Sequence, residues 1–512
     1  MARYKPYSYD QTKLIPISYD RQILPGTFER TLSEVIDTLD MSVFNGRYHN
    51  DETGAPAYDP KILLKVVLYA YSHGIIGSRR IGALCADNVI FMALSADSRP
   101  HFTTIADFIS TLQEEIVTIF RHVVMISMQM DLIDASMFAI DGCKLPSNAS
   151  KEWSGTKEEL RKKKEKLEQA LRHMIRSHVK QDESDKESDG SEERFKERLC
   201  RARAKIEKLD KWLESSDDKV SGRGYVRQSN VTDNESAKMK TSHGVVQGYN
   251  GIAVVDSKHQ VIVSAEAHGE GQDHQLLKPA LEAAKQTLKA TGFDGAKLEG
   301  TVVAADTGFH ASENLEYLER EGIDGYVPDS NFRKRDPRFA TAGKYKDTNE
   351  KEQWGKAHFD HADFTYAKKD DCYVCPAGKR LEYATSDLTT NGLTYYKYVA
   401  KQRHCGGCGF RSHCITKDTH KVRAIFRRSD GGENVCSRMR EKIDTQRGRE
   451  MYSKRMAIVE PVFGNMRHAK RLDRFTLRTR KKVNVQWLFY CMVHNIEKIC
   501  NFGSAPFACA CA

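Results

Sequence analysis

The chain has 512 residues, 80 Lys or Arg against 70 Asp or Glu, a net charge of +10 and 40% hydrophobic residues, ample for large cores. At roughly 150 residues per domain this predicts about three domains rather than one compact fold. The longest apolar region, Ile116 to Ile140, carries Arg121, His122, Gln129, Asp131 and Asp134, which excludes a membrane span and any expected membrane partner. The opening MARYKPYSYDQTK has no apolar export segment, so a cytoplasmic location with reduced thiols is expected. Thirteen cysteines then read as core residues or metal ligands rather than disulfides.

Residues 27 to 130 are predicted helical, with Tyr58-Asp59-Pro60 as a turn before KILLKVVLYAYSHG and Gly77-Ser78-Arg79-Arg80 before IGALCADNVIFMAL. Short helices with polar turns suit either a helix-turn-helix-like DNA contact or a structural and dimerising bundle. MFAIDGCKL follows as an apolar strand holding Asp141. Two charged helical runs are predicted within 151–215, separated by the acidic QDESDKESDGSEE. Leu160, Leu167, Leu171 and Ile175 against Leu199, Ile206, Leu209 and Leu213 suggest a narrow seam in an inserted antiparallel hairpin.

GVVQGYNGIAVVD and HQVIVSAEAH are predicted as a hairpin turning at Asp256-Ser257-Lys258, followed by a helix from Asp273 to about Ala290. GTVVAAD is a buried strand ending at Asp306, ASENLEYLEREG a helix and IDGYVP a further strand. After Pro328 no regular element is predicted until about Arg447. That stretch holds Cys372-x2-Cys375-Pro-x-Gly, Cys405-x2-Cys408 and Cys414, the paired spacing of a structural zinc site, or else reduced cysteines in a small core. A helix then carries Glu460, and Pro461 beside it predicts a kink or break. From Lys421 to Lys482 there are 19 Lys or Arg against 7 Asp or Glu, an excess of 12 suited to a polyanion or to a solvated helical face.

Without insertions, the order is strand, strand, strand, helix, strand, helix, strand, helix, that of a ribonuclease-H-like core, with Asp141, Asp306 and Glu460 on successive elements. Three converging carboxylates would repel one another unless cations bridged them, and hard oxygen ligands suit two Mg²⁺ or Mn²⁺ ions about 4 Å apart.

These residues resemble DDE-type transposases of bacterial insertion sequences, in the group with an InsH-like helical N-terminal domain. The resemblance is carried by AYDPKILLKVVLYAYSHGIIGSRRIGALC, HFTTIADF, AIDGCKLPSNAS, GVVQGYNGIAVVD, AADTGFHASENLEYLEREGIDGYVP and VEPVFGNMRHAKRLDRFTLRTRKKV. It implies that Asp141, Asp306 and Glu460 are the catalytic, metal-holding triad for strand cleavage and transfer on transposon ends. Relatives usually have Lys seven residues after the Glu, where this chain has Arg467, with Lys470 one turn later. Tyr452 and Arg455 match a Tyr and Arg before the Glu with altered spacing, and Gln486 stands where an acidic residue is common. The resemblance also favours Cys375, Cys405, Cys408 and Cys414 as the zinc ligands, with Cys372 as spare or substitute.

The expected fold is α/β, a ribonuclease-H-like mixed sheet with an all-α N-terminal domain, a helical-hairpin insertion and a zinc-ribbon-like insertion. The expected domains are 1–130, helical; 131–330 with 437–500, catalytic, interrupted by 151–222; 331–436, cysteine-rich; and a 501–512 tail. Contacts to double-stranded DNA, both transposon ends and target, are expected at Arg79, Arg80, Lys144, Tyr452, Arg455, Arg467, Lys470, Arg471, Arg474 and Arg478. The expected state is a homodimer or larger synaptic complex at the bacterial nucleoid. A noncatalytic DNA-binding derivative and a metal-dependent nuclease that cuts without joining are the alternatives.

Overall fold

The computed structural model describes residues 18–47, 56–182, 191–220, 226–241, 244–293, 298–339, 359, 361–390, 393–415, 420–428 and 435–503. The chain divides into two compact units, 1–303 with 455–512, and 304–454. It is a mixed α/β protein with a helical N-terminal region. Among the described residues no helix is long and apolar enough to cross a membrane. The acidic linker at 183–190 and the tail with Cys509 and Cys511 lie outside the described residues.

The first unit opens with α1 (Phe28–Thr38), α2 (Pro60–Ser72), α3 (Ser78–Asp87), α4 (Val89–Leu94), α5 (Phe102–Thr111) and α6 (Glu115–Gln129), in the stretch predicted helical. Their ends follow from local chemistry. Asp59 caps α2 by accepting from the Lys61 N–H, with Pro60 in the first turn. Gly74, at φ +70°, ends it while the Ile75 N–H returns to the Ala70 carbonyl at 2.8 Å. Asn88 serves two helices: its N–H closes α3 on Leu84 O, and its side-chain oxygen accepts from the Ile90 and Phe91 amides to open α4.

Strand β1 (Met137–Pro146) leads into helices α7 (Lys157–Asp182) and α8 (Ser191–Ser215) of the predicted hairpin. The seam is shorter than predicted. Leu160, Leu209 and Trp212 are buried at the root, with Leu167 and Leu213 partly covered, whereas Ile175 is exposed. Two helices alone have no third layer with which to cover their outer turns.

Next come β2 (Ala237–Thr241), β3 (Gly244–Asp256), β4 (Ile262–His268), α9 (Leu277–Ala290) and β5 (Val302–Ala305). Strand β3 pairs antiparallel with β1 along one side, while β2 takes residues 244–248 and β4 residues 250–255 of the other. The predicted turn is present: Asp256 is fully buried and accepts from the Ala135 and Lys258 amides at 2.9 Å each. Burial pushes its carboxyl up to about 6 despite those donors.

In the second unit α10 (Ser312–Arg320) precedes β6 (Asp324–Tyr326). The stretch predicted irregular instead contains a sheet: β7 (Thr365–Ala367), β8 (Cys372–Val374), β9 (Arg380–Thr390), β10 (Leu393–Ala400) and β11 (Ala424–Arg428) form a five-stranded antiparallel sheet in sequence order. Among the described residues a core of Phe364, Tyr373, Leu381, Tyr398 and Ile425 packs on it. The β9–β10 register is also broken between Tyr383 and Thr385 and between Thr385 and Leu388. Such irregularities interrupt the period-two pattern that marks a strand in sequence.

Helices α11 (Val435–Asp444) and α12 (Gln446–Gly464) follow, and α12 carries the chain back into the first unit. The last helix, α13 (Arg480–Phe502), is buried along most of its length and packs on α1, α2, α5, α6 and β4. Trp487 and Tyr490 are wholly buried in this packing.

Candidate functional site

Asp141 sits in the middle of β1, where Met137–Ile140 are buried and the chain begins to emerge. Its cross-strand partner is Ala253, which pairs in turn with Ala265, so the carboxylate stands over small neighbours. Gly142 has no room for a side chain: a Cβ there would lie 2.7 Å from both Asn250 Oδ1 and Ile252 Cδ1. The Asp-Gly pair therefore lets the sheet pack tightly one residue from an acid.

Arg455 on α12 donates through Nη1 to Asp141 Oδ2 at 2.8 Å. The side chains are 6% and 22% exposed, so this is a largely dehydrated pair. Glu460 lies five residues further along the same helix and is exposed. At 1.5 Å per residue the helix carries Glu460 about 7.5 Å along its axis from the residue that holds Asp141.

What seats this part of α12 is apolar. Ile458, Val459, Val462 and Phe463 are buried, and Phe463 stacks on Trp487 with ring centroids 6.2 Å apart. Trp487 donates to the Ile252 carbonyl at 3.1 Å and lies where a Cβ on Gly251 would meet its ring at 2.9 Å. Of the kink or break expected at Pro461, the break is absent, since the helix runs on to Gly464. Pro461 has no N–H to give the Ala457 carbonyl, and Gln260 Nε2 fills that carbonyl at 2.9 Å. The departure comes after Gly464, where Asn465–Ala469 form a π turn.

Lys470 closes that turn and differs from its expected role. Its ammonium is wholly buried, donating to Glu497 Oε2 at 2.6 Å and Asn465 Oδ1 at 2.9 Å, so it is not presented to DNA phosphate. Burial lowers its pKa, and Glu497 opposes that shift. Gln486 is buried too, accepting from the Thr476 amide and donating to its hydroxyl. The acid of this region is thus Glu497, one that sequence spacing did not single out.

In the second unit Asp306 follows β5 and opens a short turn, Thr307–Phe309, which Asn314 holds by donating to the Phe309 carbonyl at 2.8 Å. The Tyr452 hydroxyl donates to Asp306 Oδ1 at 3.4 Å, and its ring meets Phe332 edge-on at 5.2 Å. Tyr452 and Arg455, expected as phosphate contacts, are thus both buried and turned onto the acidic residues. Asp141 and Glu460 belong to the first unit, Asp306 to the second.

Of the other expected phosphate contacts, Arg79, Arg80, Arg467, Arg471, Arg474 and Arg478 are exposed. Arg79 lies over the Phe102 ring at 5.1 Å. Lys144 is half-buried and paired with Asp273 at 3.2 Å, which neutralises the charge expected to face DNA.

The cysteine motifs meet in the second unit. Cys375, Cys405, Cys408 and Cys414 line one small pocket, alongside His404 and Arg423. Gly378, at φ +72°, turns the Cys-Pro-x-Gly segment so that the Lys379 N–H points at Cys375 Sγ, 3.3 Å away. Burial raises the Cys414 thiol, the other three cysteines add to the rise, and Arg423 opposes it. Cys372 is buried on β8 and is not part of this lining. Among the described residues no group of three or more His, Cys, Asp or Glu is set to hold a metal ion.

Residues 374–500 match the transposase DDE domain family, and residues 17–111 match a transposase domain family (DUF772). The chain matches no curated protein and no solved structure. The first match contains Arg455 and Glu460, and the second spans α1 to α5, so the two fall on separate parts of the fold in the order that the sequence motifs require. Both matches support an insertion-sequence transposase of the DDE type.

Proposed function

We propose that the chain cuts and joins DNA at the ends of its own element by in-line phosphodiester displacement, with Asp141, Asp306 and Glu460 as the acidic triad of a ribonuclease-H-like core. The observation that carries this reading is α12, which pins Asp141 through Arg455 and exposes Glu460 five residues on. Three carboxylates offer the hard oxygen donors that Mg²⁺ or Mn²⁺ prefers. Asp141, Asp306 and Glu460 would hold two such ions, which when bound activate a water or 3′-hydroxyl and stabilise the leaving oxygen. Arg455 orients Asp141 by its hydrogen bond, and Tyr452 does the same for Asp306. Exposed Arg467, Arg471, Arg474 and Arg478 would track the phosphate backbone, with Arg79 and Arg80 on the N-terminal helices.

In this reading residues 1–130 bind the ends or dimerise, 131–330 with 437–500 carry the chemistry, and 331–436 form an insertion held by Zn²⁺. Cys375, Cys405, Cys408 and Cys414 suit such an ion by donor chemistry and share a pocket, and the Lys379 N–H is aimed at Cys375 Sγ as an outer hydrogen bond to a ligand would be. The working state is a homodimer or larger synaptic complex on two DNA ends.

The test is cleavage and joining of labelled DNA bearing the element's ends, with Mg²⁺ or Mn²⁺, for the native chain and for Glu460→Gln, Asp141→Asn and Asp306→Asn. Joined product from the native chain alone is expected. Cutting without joining would make it a nuclease, and binding without cutting a DNA-binding derivative.

A further inference from the structure

The α7–α8 hairpin has no part in the chemistry just described, yet its root gathers two lysines over one aromatic ring. Several cations on the hairpin are matched with a carboxylate: Lys162 with Glu158, Lys164 with Asp210, Lys196 with Glu192 and Lys211 with Glu207. Lys163 and Lys208 are not. Their ammonium groups stand 4.9 and 5.1 Å from the centroid of the Trp153 ring. Lys163 donates to the Glu152 carbonyl and Lys208 to Thr232 Oγ1, and among the described residues neither has a carboxylate partner.

Two arginines from the segment after α12 join them. Arg474 donates to the Ser147 carbonyl at 3.2 Å and Arg478 to the Asn148 carbonyl at 2.9 Å, where the chain leaves β1. These too lack a carboxylate partner among the described residues. The Phe475 N–H fixes the segment on the Pro146 carbonyl at 2.9 Å. Burial first, and then Arg478 as a like charge, lower the Lys208 pKa. One lysine resting on a tryptophan is ordinary cation–π packing. It does not account for a second lysine on the same ring, nor for two adjacent arginines fastened to backbone carbonyls that neutralise nothing. Four cations held together without a counter-charge repel one another unless an anion comes from outside.

We propose that the hairpin root, Lys163 and Lys208 over Trp153 with Arg474 and Arg478 beside them, is a docking surface for the phosphate backbone of duplex DNA. It rests on the transposase reading and extends the basic segment onto an insertion otherwise without a role. The carbonyls and the indole hold the cations in place before DNA arrives, which reduces the side-chain entropy lost on binding.

The full chain is titrated with a labelled 30-base-pair duplex over a range of salt concentrations. Lys163→Gln/Lys208→Gln is expected to lower the slope of log affinity against log salt by about 1.8, near 0.9 per lost phosphate contact, and each single variant by about half that. Lys163→Arg/Lys208→Arg should retain the native slope. Lys162→Gln/Lys211→Gln removes the same formal charge from partnered positions and should change the slope by less than about 0.5. An unchanged slope in the first variant, at native melting temperature, overturns the proposal, as does an equal loss in the partnered control. A native chain that fails to bind the duplex at all counts against the transposase reading itself.

Discussion

Arg455 and Asp141 are 314 positions apart in the chain yet meet at 2.8 Å, so the helix that bears Glu460 is tied to the strand that bears Asp141 by one charge-assisted hydrogen bond. With the arginine only 6% exposed, removing either partner leaves a poorly solvated charge behind. Arg455→Ala should cost roughly 3 kcal/mol of stability, more than Asp141→Ala/Arg455→Ala relative to Asp141→Ala alone. A double-mutant cycle by urea unfolding checks this, with a coupling of about 1 kcal/mol or more expected. Strict additivity would mean that the pair does not hold α12.

Gln260 supplies what Pro461 cannot. Its amide occupies the Ala457 carbonyl, and its Oε1 accepts from Lys498 at 2.8 Å. Gln260 sits at φ +61°, a conformation Asn tolerates, so Gln260→Asn shortens the side chain without straining the backbone. A loss of about 0.5–1 kcal/mol is expected, the net worth of a hydrogen bond at an exposed carbonyl that water can partly replace. Adding Pro461→Ala returns an N–H to the helix and should recover part of it. Failure of the second substitution to help would show that the carbonyl is not where the energy lies.

The cysteine pocket makes a distinction among variants. Native protein purified without chelator is expected to carry about one zinc per chain, the stoichiometry of a closed four-thiolate site. Cys405→Ser or Cys408→Ser should lose the metal and lower the melting temperature, because metal binding and folding of such a segment are linked. Cys372→Ser should keep the zinc, since that thiol is buried on β8 away from the pocket lining. Elemental analysis of well-folded material decides it: zinc absent from the native chain, or lost equally in Cys372→Ser, would sink the assignment.

Much of this was legible in sequence because the signals were local. Asp59-Pro60 and Gly74 mark the ends of α2, and Asp256-Ser257-Lys258 the turn between β3 and β4. The sheet of the second unit was hidden because its strands cover one small core and are interrupted by register shifts, so their alternation does not persist. At the acidic residues, the identities of Asp141, Asp306 and Glu460 came from element order and resemblance, but the work of their neighbours did not. Tyr452, Arg455 and Lys470 look like phosphate ligands in a basic segment until burial turns them onto Asp306, Asp141 and Glu497. Glu497 and Gln260 gave no signal, since each acts on a residue far from it in the chain or across a turn.

His494 provides the pH test of the same region. Its ring is 1% exposed, with Nε2–H donating to the Gln260 carbonyl at 2.9 Å and Nδ1 facing Asn465 Nδ2 at 3.5 Å. Burial first, then Lys498 and Lys470, lower its pKa from 6.5 to about 3, outweighing the backbone hydrogen bond. The folded protein therefore prefers the neutral ring. This contribution is fully present above pH 6.5, and it is lost as pH falls toward 3 because the unfolded chain takes up the proton first. Asp256 acts in the opposite sense: its carboxyl, raised from 3.8 to about 6, makes the fold more stable as pH falls through that window. The two slopes nearly cancel between 6 and 3.8, so the native chain alone hides both. The difference between native and His494→Gln isolates the histidine. Measured by urea unfolding, the native advantage should shrink by about 2 kcal/mol from pH 7.5 to pH 5, near 1.4 kcal/mol per pH unit below 6.5. A difference independent of pH would mean that the His494 ring titrates in the fold as it does in the unfolded chain, so that burial does not hold it neutral.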